Sequence, residues 1–221
     1  MRIWAIVSRK GGAGKTTVAV NLAIAGREAG LRTIVADIDP LRSASDALRS
    51  RLDGSGLLIE TAAAKLFAVV NACRRSGCEL LVIDTPTAPE GDMVAAMNAA
   101  DLSVIVSRPT YLDIAAGLKT VEAVRRLGRN GTLVLNQCPP TRLGTESSSV
   151  ARTLVALEQA GIIVCPQALR ARTAFQIAMA SGYGVTESDP RGRAAAEVRL
   201  LFDYLVDKSA ATLPVRRAAN D

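Results

Sequence analysis

The 221-residue chain contains no histidine, and only 3% of its residues are aromatic. The absence of histidine excludes imidazole metal sites and catalytic triads that use histidine as the base. The four cysteines, Cys73, Cys78, Cys138 and Cys165, form no C-x-x-C pair, which favours buried, reduced thiols over a metal or cluster site. Long apolar runs are also missing, since even Leu102–Val106 is only strand-length. We therefore expect neither a membrane span nor a signal peptide.

Basic residues outnumber acidic residues by 27 to 21, which gives a formal net charge of +6. This balance permits a partner that carries phosphates, such as a nucleic acid or an anionic membrane surface. An arginine-rich and alanine-rich composition also arises from genomic base content, without any such partner. Composition alone therefore leaves nucleic-acid binding open.

Short apolar runs alternate with helical patterns along most of the chain. The patterns predict strands at Ile3–Val7, Thr33–Ala36, Leu80–Ile83, Leu102–Val106, Thr132–Leu135 and Ile162–Val164. They predict helices at Thr17–Ala29, Ala62–Arg75, Ile114–Leu127, Ser147–Ala160, Ala171–Ala180 and Arg193–Asp207. This alternation indicates a doubly wound α/β fold, with a mostly parallel sheet and helices on both faces. We expect one domain over residues 1–208, followed by a flexible tail at 209–221.

A glycine-rich segment lies between the first predicted strand and the first predicted helix. It reads Lys10-Gly11-Gly12-Ala13-Gly14-Lys15-Thr16-Thr17. Such a loop curves backbone N–H groups around phosphate oxygens, and the helix N-terminus adds the positive end of its dipole. Lys15 is suited to reach the β- and γ-phosphates, and the Thr16 hydroxyl to join the shell of a Mg²⁺ ion. The segment therefore predicts a P-loop NTPase.

Carboxylates follow two of the predicted strands. Asp37 and Asp39 come after the second strand, and Asp84 follows the run Leu80–Ile83 in the manner of a Walker B segment. The carboxyl ends of parallel strands face the ligand crevice of an open α/β sheet. We expect Asp84 to hold a magnesium-bound water and Asp37 to support the loop or the magnesium waters. The alternative for Asp37 and Asp39 is the capping of a turn or helix.

These motifs together resemble those of the ParA/MinD family of deviant Walker A P-loop ATPases. Arg9 stands where the general P-loop pattern has its first glycine, and a second lysine, Lys10, opens the loop. The resemblance implies a homodimer with two ATP molecules between its subunits, in which Lys10 reaches the partner's phosphates and Asp39 orients the attacking water. Family members usually have Gln where this chain has Leu41, so the rate of ATP hydrolysis stays open.

The resemblance extends beyond these motifs, to about residue 208. It places Asn136 near the adenine, although an asparagine here is equally suited to cap the next helix. Cys165–Ala180, with Arg170 and Arg172, resembles the segment that closes over the base. Arg108–Asp113 resembles a segment near the dimer interface of small partition ATPases. Because the chain starts at the first strand, we expect no N-terminal helix-turn-helix domain.

The function implied by the resemblance is the segregation or positioning of a plasmid, chromosome or protein cargo by a slow, Mg²⁺-dependent ATP hydrolase. Such a protein is cytoplasmic and nucleoid-associated, binds DNA without sequence preference, and has a ParB-like or cargo adaptor partner that stimulates hydrolysis. The candidate DNA contacts are arginines: Arg170, Arg172, Arg191 and Arg193, then Arg199, Arg125, Arg126 and Arg129.

Two alternatives share this nucleotide site. One is an adaptor that binds ATP, turns over slowly or not at all, and recruits a conjugation or secretion complex. The other is a MinD-like ATPase that cycles on a membrane. The second needs a C-terminal amphipathic helix, and residues 209–221 contain a proline and little apolar surface. We therefore expect no stable membrane association.

Overall fold

A computed structural model describes residues 1–51 and 56–210. Its strands are β1 (Arg2–Val7), β2 (Thr33–Asp37), β3 (Leu58–Glu60), β4 (Leu80–Asp84), β5 (Leu102–Ser107) and β6 (Gly131–Leu135). Its helices are α1 (Lys15–Glu28), α2 (Ser43–Arg49), α3 (Leu66–Arg75), α4 (Glu90–Ala99), α5 (Tyr111–Arg126), α6 (Ser148–Gln159), α7 (Thr173–Ala180), α8 (Val185–Ser188) and α9 (Arg193–Ala210). None of the helices in the described residues is long and apolar enough to cross a bilayer.

The described strands form one parallel sheet in the order β3-β2-β4-β1-β5-β6. The chain first builds the sheet on one side of β1 and then returns to the other side with β5 and β6. Ligands of open α/β sheets bind at the carboxyl ends of the strands, where the order reverses in this way. The loop after β1 lies at this position and leads directly into α1.

Alternate residues of each strand pack on opposite faces of the sheet. In β1, Trp4 and Ile6 face the layer that contains α1 and α9, and Ala5 and Val7 face the layer that contains α3, α4 and α5. Trp4 is fully buried and meets Phe202 of α9 edge-on, with 5.6 Å between the ring centroids. Because both faces are covered, the central strands consist mainly of apolar residues, which is why the sequence reveals them. The predicted doubly wound α/β fold is confirmed.

The structure departs from the predicted elements mainly at the edges of the sheet. The sequence patterns do not predict the short strand β3 or the helices α2, α4 and α8. The predicted strand Ile162–Val164 is wrong, because only Val164 forms an isolated bridge, to Leu133. The Cys165 N–H donates to the Leu133 carbonyl, and the chain next bonds β6 only at Leu169, whose N–H donates to the Leu135 carbonyl. At the C-terminus, α9 continues through residues 209 and 210, and the rest of the predicted tail, 211–221, lies outside the described residues.

The four cysteines are buried and unpaired, as the sequence predicts. Burial raises the pKa of the Cys138 thiol to about 12 and that of Cys165 to about 11. A thiol with such a pKa stays protonated at neutral pH and reacts slowly. These side chains therefore belong to the core.

Candidate nucleotide-binding site

The phosphate loop, residues 10–17, leaves the carboxyl end of β1 and enters α1. Gly12 and Gly14 have φ angles of +73° and +91°, which favour glycine. In the described residues, the backbone N–H groups of Ala13 and Gly14 donate to no protein acceptor, and no side chain caps α1. Several donors at a helix N-terminus are therefore available to phosphate oxygens.

Two neighbouring carboxamides bind the outer side of this loop. Asn136 Nδ2 donates to the Ala13 carbonyl at 2.8 Å, and Gln137 Nε2 donates to the Gly12 carbonyl at 3.0 Å. A Cβ atom at Gly14 would lie 2.3 Å from Asn136 Nδ2, so a side chain cannot be accommodated there. Asn136 thus sits at the loop rather than capping the next helix.

The two residues that open α1 face Asp84 and the segment after it. Lys15 is buried, and its Nζ donates to Thr87 Oγ1 at 3.0 Å. Burial lowers the pKa of Lys15, while the nearby charges of Asp84 and Asp39 oppose that shift. Thr16 Oγ1 donates to Asp84 Oδ2 at 2.8 Å. The Lys15 ammonium, the Thr16 hydroxyl and the Asp84 carboxylate therefore lie at one site.

Asp84 provides the test of whether this site fits Mg²⁺. Its Oδ1 atom is buried and has no hydrogen-bond partner in the part of the chain that the structure describes. Such an atom is costly unless a cation or an ordered water meets it. Between residues 1–51 and 56–210, no three His, Cys, Asp or Glu side chains form an all-protein metal cage. Mg²⁺ needs none, since it binds one or two protein ligands together with phosphates and water. Thr16 and Asp84 fit that role.

The carboxylate of Asp37 is occupied by its own loop. Its Oδ2 accepts hydrogen bonds from the backbone N–H and the hydroxyl of Ser45, at 2.9 and 2.7 Å, and its Oδ1 accepts the Asp39 N–H at 3.0 Å. Asp37 is fully buried. These contacts favour its loop-supporting role over the predicted contact with magnesium waters. Asp37 fixes the segment that carries Asp39, whose Oδ1 accepts the Leu41 N–H at 2.9 Å.

A cleft of about 390 Å³ opens beside the phosphate loop. Its walls combine amide, apolar and basic side chains, among them Asn136, Gln137, Arg172 and Phe175. A planar base with a hydrogen-bonding edge suits such a lining. The cleft lies between the loop and the segment that the family resemblance implies closes over the base.

Two of the eight candidate DNA contacts, Arg170 and Arg172, form ion pairs within the protein. Arg170 is buried and forms an ion pair with Glu146, which lowers the pKa of that carboxyl, and Arg172 pairs with Glu197. A guanidinium held this way must give up its partner before it can neutralise a DNA phosphate. The geometry therefore argues against DNA contacts at Arg170 and Arg172.

The remaining predicted arginines lie on the surface. Arg191 and Arg193 are exposed, and the described residues offer neither of them an acceptor. Arg199 donates to the Pro190 carbonyl at 2.6 Å, and Arg126 pairs with Glu122 on α5. Arg129 is likewise exposed without an acceptor in the described residues, so Arg129, Arg191 and Arg193 are the better placed candidates.

Asp113, in the segment expected near a dimer interface, makes contacts within its own subunit. It is buried, pairs with Arg108 at 3.2 Å and accepts a hydrogen bond from the Thr110 hydroxyl. Thr110 in turn caps α5. The carboxylate therefore organises the start of this helix.

Sequence reasoning missed several residues around the loop. Ser45 and Gln137 form hydrogen bonds to residues 8 and 125 positions away along the chain, and no motif marks them. Arg9 forms an ion pair with Glu90, the first residue of α4. Only the adjacency of Gln137 to Asn136 offered a signal.

Comparison with known proteins agrees with this geometry. Residues 4–182 match the CobQ/CobB/MinD/ParA nucleotide binding domain. The chain belongs to this family. Members of the ParA/MinD family are ATPases that use ATP and Mg²⁺, form ATP-dependent dimers and interact with partner proteins. ATP and Mg²⁺ are therefore the cofactors of this site.

Individual relatives in the ParA/MinD family align over most of the chain. Maintenance of carboxysome distribution protein A of Gloeobacter kilaueensis is 34% identical over 201 residues, covering 89% of this chain and 88% of the relative. The structure of Cyanothece apo McdA has a TM-score of 0.78 at 16% identity, covering 93% of this chain and 99% of that one. Septum site-determining protein MinD of Pyrococcus horikoshii, complexed with Mg-ADP, has a TM-score of 0.71 at 18% identity, covering 97% and 99%. The two structures share the fold of this ParA/MinD-type ATPase.

Proposed function

We propose that this chain is a positioning ATPase of the ParA/MinD type. It hydrolyses Mg²⁺-ATP slowly, dimerises around two ATP molecules, binds DNA without sequence preference in that state and so associates with the nucleoid. Its cargo is a protein assembly, and a ParB-like or cargo adaptor stimulates hydrolysis. Two relatives, 34% and 27% identical, are named for the maintenance of carboxysome distribution, which favours a protein assembly over a plasmid or chromosome as cargo.

The observation that carries the proposal is the difference between the two lysines of the phosphate loop. Lys15 is buried, bonded to Thr87 and electrostatically coupled to Asp84 and Asp39. Lys10 is half-exposed, and its ammonium has no acceptor among the residues that the structure describes. A free cation beside the phosphate site suits a role in a second subunit, where it would stabilise charge that develops during phosphoryl transfer.

Sedimentation velocity with ATP, with ADP and without nucleotide tests this proposal. We expect the parent chain to dimerise with ATP only. Lys10→Ala should bind ATP within about threefold of the parent but remain monomeric. Lys15→Ala should lose ATP binding, because a P-loop lysine contacts the nucleotide of its own subunit. An ATP-dependent dimer of Lys10→Ala would contradict the assignment of Lys10.

DNA binding is measured with the same variants on a duplex of arbitrary sequence. We expect binding with ATP only, with a steep dependence on salt concentration, because phosphate contacts release counterions. Lys10→Ala should lose this binding together with dimerisation. Equal binding with ATP, with ADP and without nucleotide would mean that the basic charge acts without the dimer.

A slow adaptor is the second candidate, and one observation favours it. Leu41 is 78% exposed and follows Asp39, the residue assigned to the attacking water. A leucine side chain cannot donate a hydrogen bond to that water or to a phosphate. ATP turnover with and without DNA separates the candidates, since an adaptor stays slow in both. Leu41→Gln should raise the rate if this position limits turnover.

A further inference from the structure

The phosphate loop and the base cleft share one residue that no motif identifies. Gln137 lines the cleft, and its Nε2 donates to the Gly12 carbonyl at 3.0 Å. Its backbone has a φ of 53°, in the left-handed region that a non-glycine residue seldom adopts. Unusual backbone conformations of this kind concentrate at functional sites. Gln137 therefore occupies an unfavourable conformation and makes a specific contact with the loop.

The geometry of a trans peptide gives this contact a consequence for the loop. The C=O of one residue and the N–H of the next share one plane and point in opposite directions. A bond from Gln137 to the Gly12 carbonyl therefore directs the Ala13 N–H away from Gln137. A bond from Asn136 to the Ala13 carbonyl, at 2.8 Å, directs the Gly14 N–H away from Asn136 in the same manner.

These two N–H groups lack protein acceptors. Neither Ala13 N nor Gly14 N donates to an atom in the described residues, although both carbonyls of the same peptides are bonded. The carbonyls of Gly12 and Ala13 therefore accept hydrogen bonds on one side of the loop. The N–H groups of Ala13 and Gly14 point to the other side without an acceptor in the described residues. Free, consecutive N–H donors form the anion-binding concavity of a phosphate site.

We propose that Gln137 is a positioning residue of the phosphate loop. It holds the Gly12–Ala13 peptide in the orientation that aims the Ala13 N–H at a phosphate oxygen. Its left-handed backbone allows the side chain to reach back over the loop while Asn136, one residue earlier, holds the next peptide. This inference rests on the proposed binding of ATP at this loop, and it concerns the phosphates rather than the base.

Two variants separate the side chain of Gln137 from its backbone. Gln137→Gly removes the amide and suits the left-handed backbone. Gln137→Met keeps roughly the length of the side chain and adds no charge, but it has no N–H donor for the Gly12 carbonyl. The matched control is Leu143→Gly, because Leu143 also has a left-handed φ, of 49°, and is fully exposed.

The experiment is isothermal titration calorimetry with inorganic tripolyphosphate, ADP and ATP at constant Mg²⁺, together with thermal unfolding of each variant. We expect Gln137→Gly and Gln137→Met to weaken all three ligands by the same factor, about threefold to tenfold, which is the range that one net hydrogen bond provides. The thermal midpoint of Gln137→Gly should be unchanged or raised, since glycine relieves the left-handed strain. Leu143→Gly should bind every ligand as the parent does.

Other outcomes overturn the inference. If the Gln137 variants bind tripolyphosphate like the parent but ADP and ATP less well, Gln137 contacts the base and does not position the loop. If all three affinities match the parent's, the hydrogen bond has no role in binding. A loss of affinity that accompanies a lowered thermal midpoint in both variants assigns Gln137 to stability alone. A parent chain that binds none of the three ligands refutes the proposed nucleotide site itself, and the inference with it.

Discussion

A proton and Mg²⁺ compete for the carboxylate of Asp84. Burial raises its pKa to about 7, while the Thr16 hydroxyl and Lys15 oppose that shift. Folding therefore favours the protonated carboxyl in the nucleotide-free protein. The protonated Asp84 carboxyl contributes its full share of the free energy of unfolding below about pH 4. That share is lost as the pH rises through about 7. Mg²⁺ requires the ionised form, so its affinity should rise over the same interval.

We predict that Asp84→Asn removes this pH dependence. Without Mg²⁺, the parent should lose stability relative to the variant between pH 5 and pH 8, by an amount on the order of 1–3 kcal/mol. Differential scanning calorimetry of both proteins in EDTA gives the comparison. Parallel curves would show that Asp84 does not titrate in this range. With Mg²⁺ and ATP, only the parent should gain stability from the metal.

At the scale of elements, α1 packs unusually close to the sheet. A Cβ atom at Gly26 would lie 2.8 Å from Leu80 Cδ2, 2.9 Å from Thr33 Oγ1 and 3.3 Å from Phe202 Cε2. Alanine would favour the helix by about 1 kcal/mol, whereas overpacking a core costs about 1–3 kcal/mol. The close approach holds the helix that starts at the phosphate loop directly against β4.

We predict that Gly26→Ala lowers the free energy of unfolding by about 1 kcal/mol in urea titrations. Gly117→Ala in α5 is the matched control, since its nearest neighbour would be Leu133 Cδ1 at 3.4 Å, an ordinary contact. That variant should be as stable as the parent or more so. If both alanines stabilise the protein, the neighbours of Gly26 have room for a methyl group and the core is not overpacked there.

The elements predicted from the sequence are those whose patterns are set by burial. Strands β1, β4, β5 and β6 are covered on both faces and therefore appear in the sequence as mainly apolar runs. The edge strand β3 has three residues, none of them fully buried, and leaves little pattern. The same division holds at the site. The loop from Lys10 to Thr17 is local in sequence, whereas Ser45 and Gln137 act on residues 8 and 125 positions away.

At the scale of the whole molecule, the net charge of +6 can attract a phosphate only through basic side chains that are not already in ion pairs. Many arginines form ion pairs within the protein, as Arg170 and Arg172 do with Glu146 and Glu197. Arg193 begins α9 and Arg191 lies two residues before it, and both side chains are exposed. The positive charge that the proposed DNA binding could use is therefore smaller than the composition indicates, because part of it is neutralised by ion pairs within the protein.

We predict that Arg193→Glu weakens ATP-dependent DNA binding and lowers the slope of log affinity against log salt by about one for each lost phosphate contact. Dimerisation with ATP should be unaffected. Arg74→Glu, which makes the same change of charge on exposed α3, should leave the slope nearly unchanged. Equal effects of the two substitutions would mean that overall charge, rather than this surface, governs the binding.

Because Trp4 packs against Phe202, its intrinsic fluorescence reports the unfolding of the protein. Trp4 is the single tryptophan of the chain, sits at the centre of the sheet and touches the last described helix. Its fluorescence therefore has one origin, and it should shift to longer wavelength only when the sheet and α9 separate and water reaches the indole. Unfolding of every variant above can be followed without an added dye, at concentrations low enough to keep the chain monomeric.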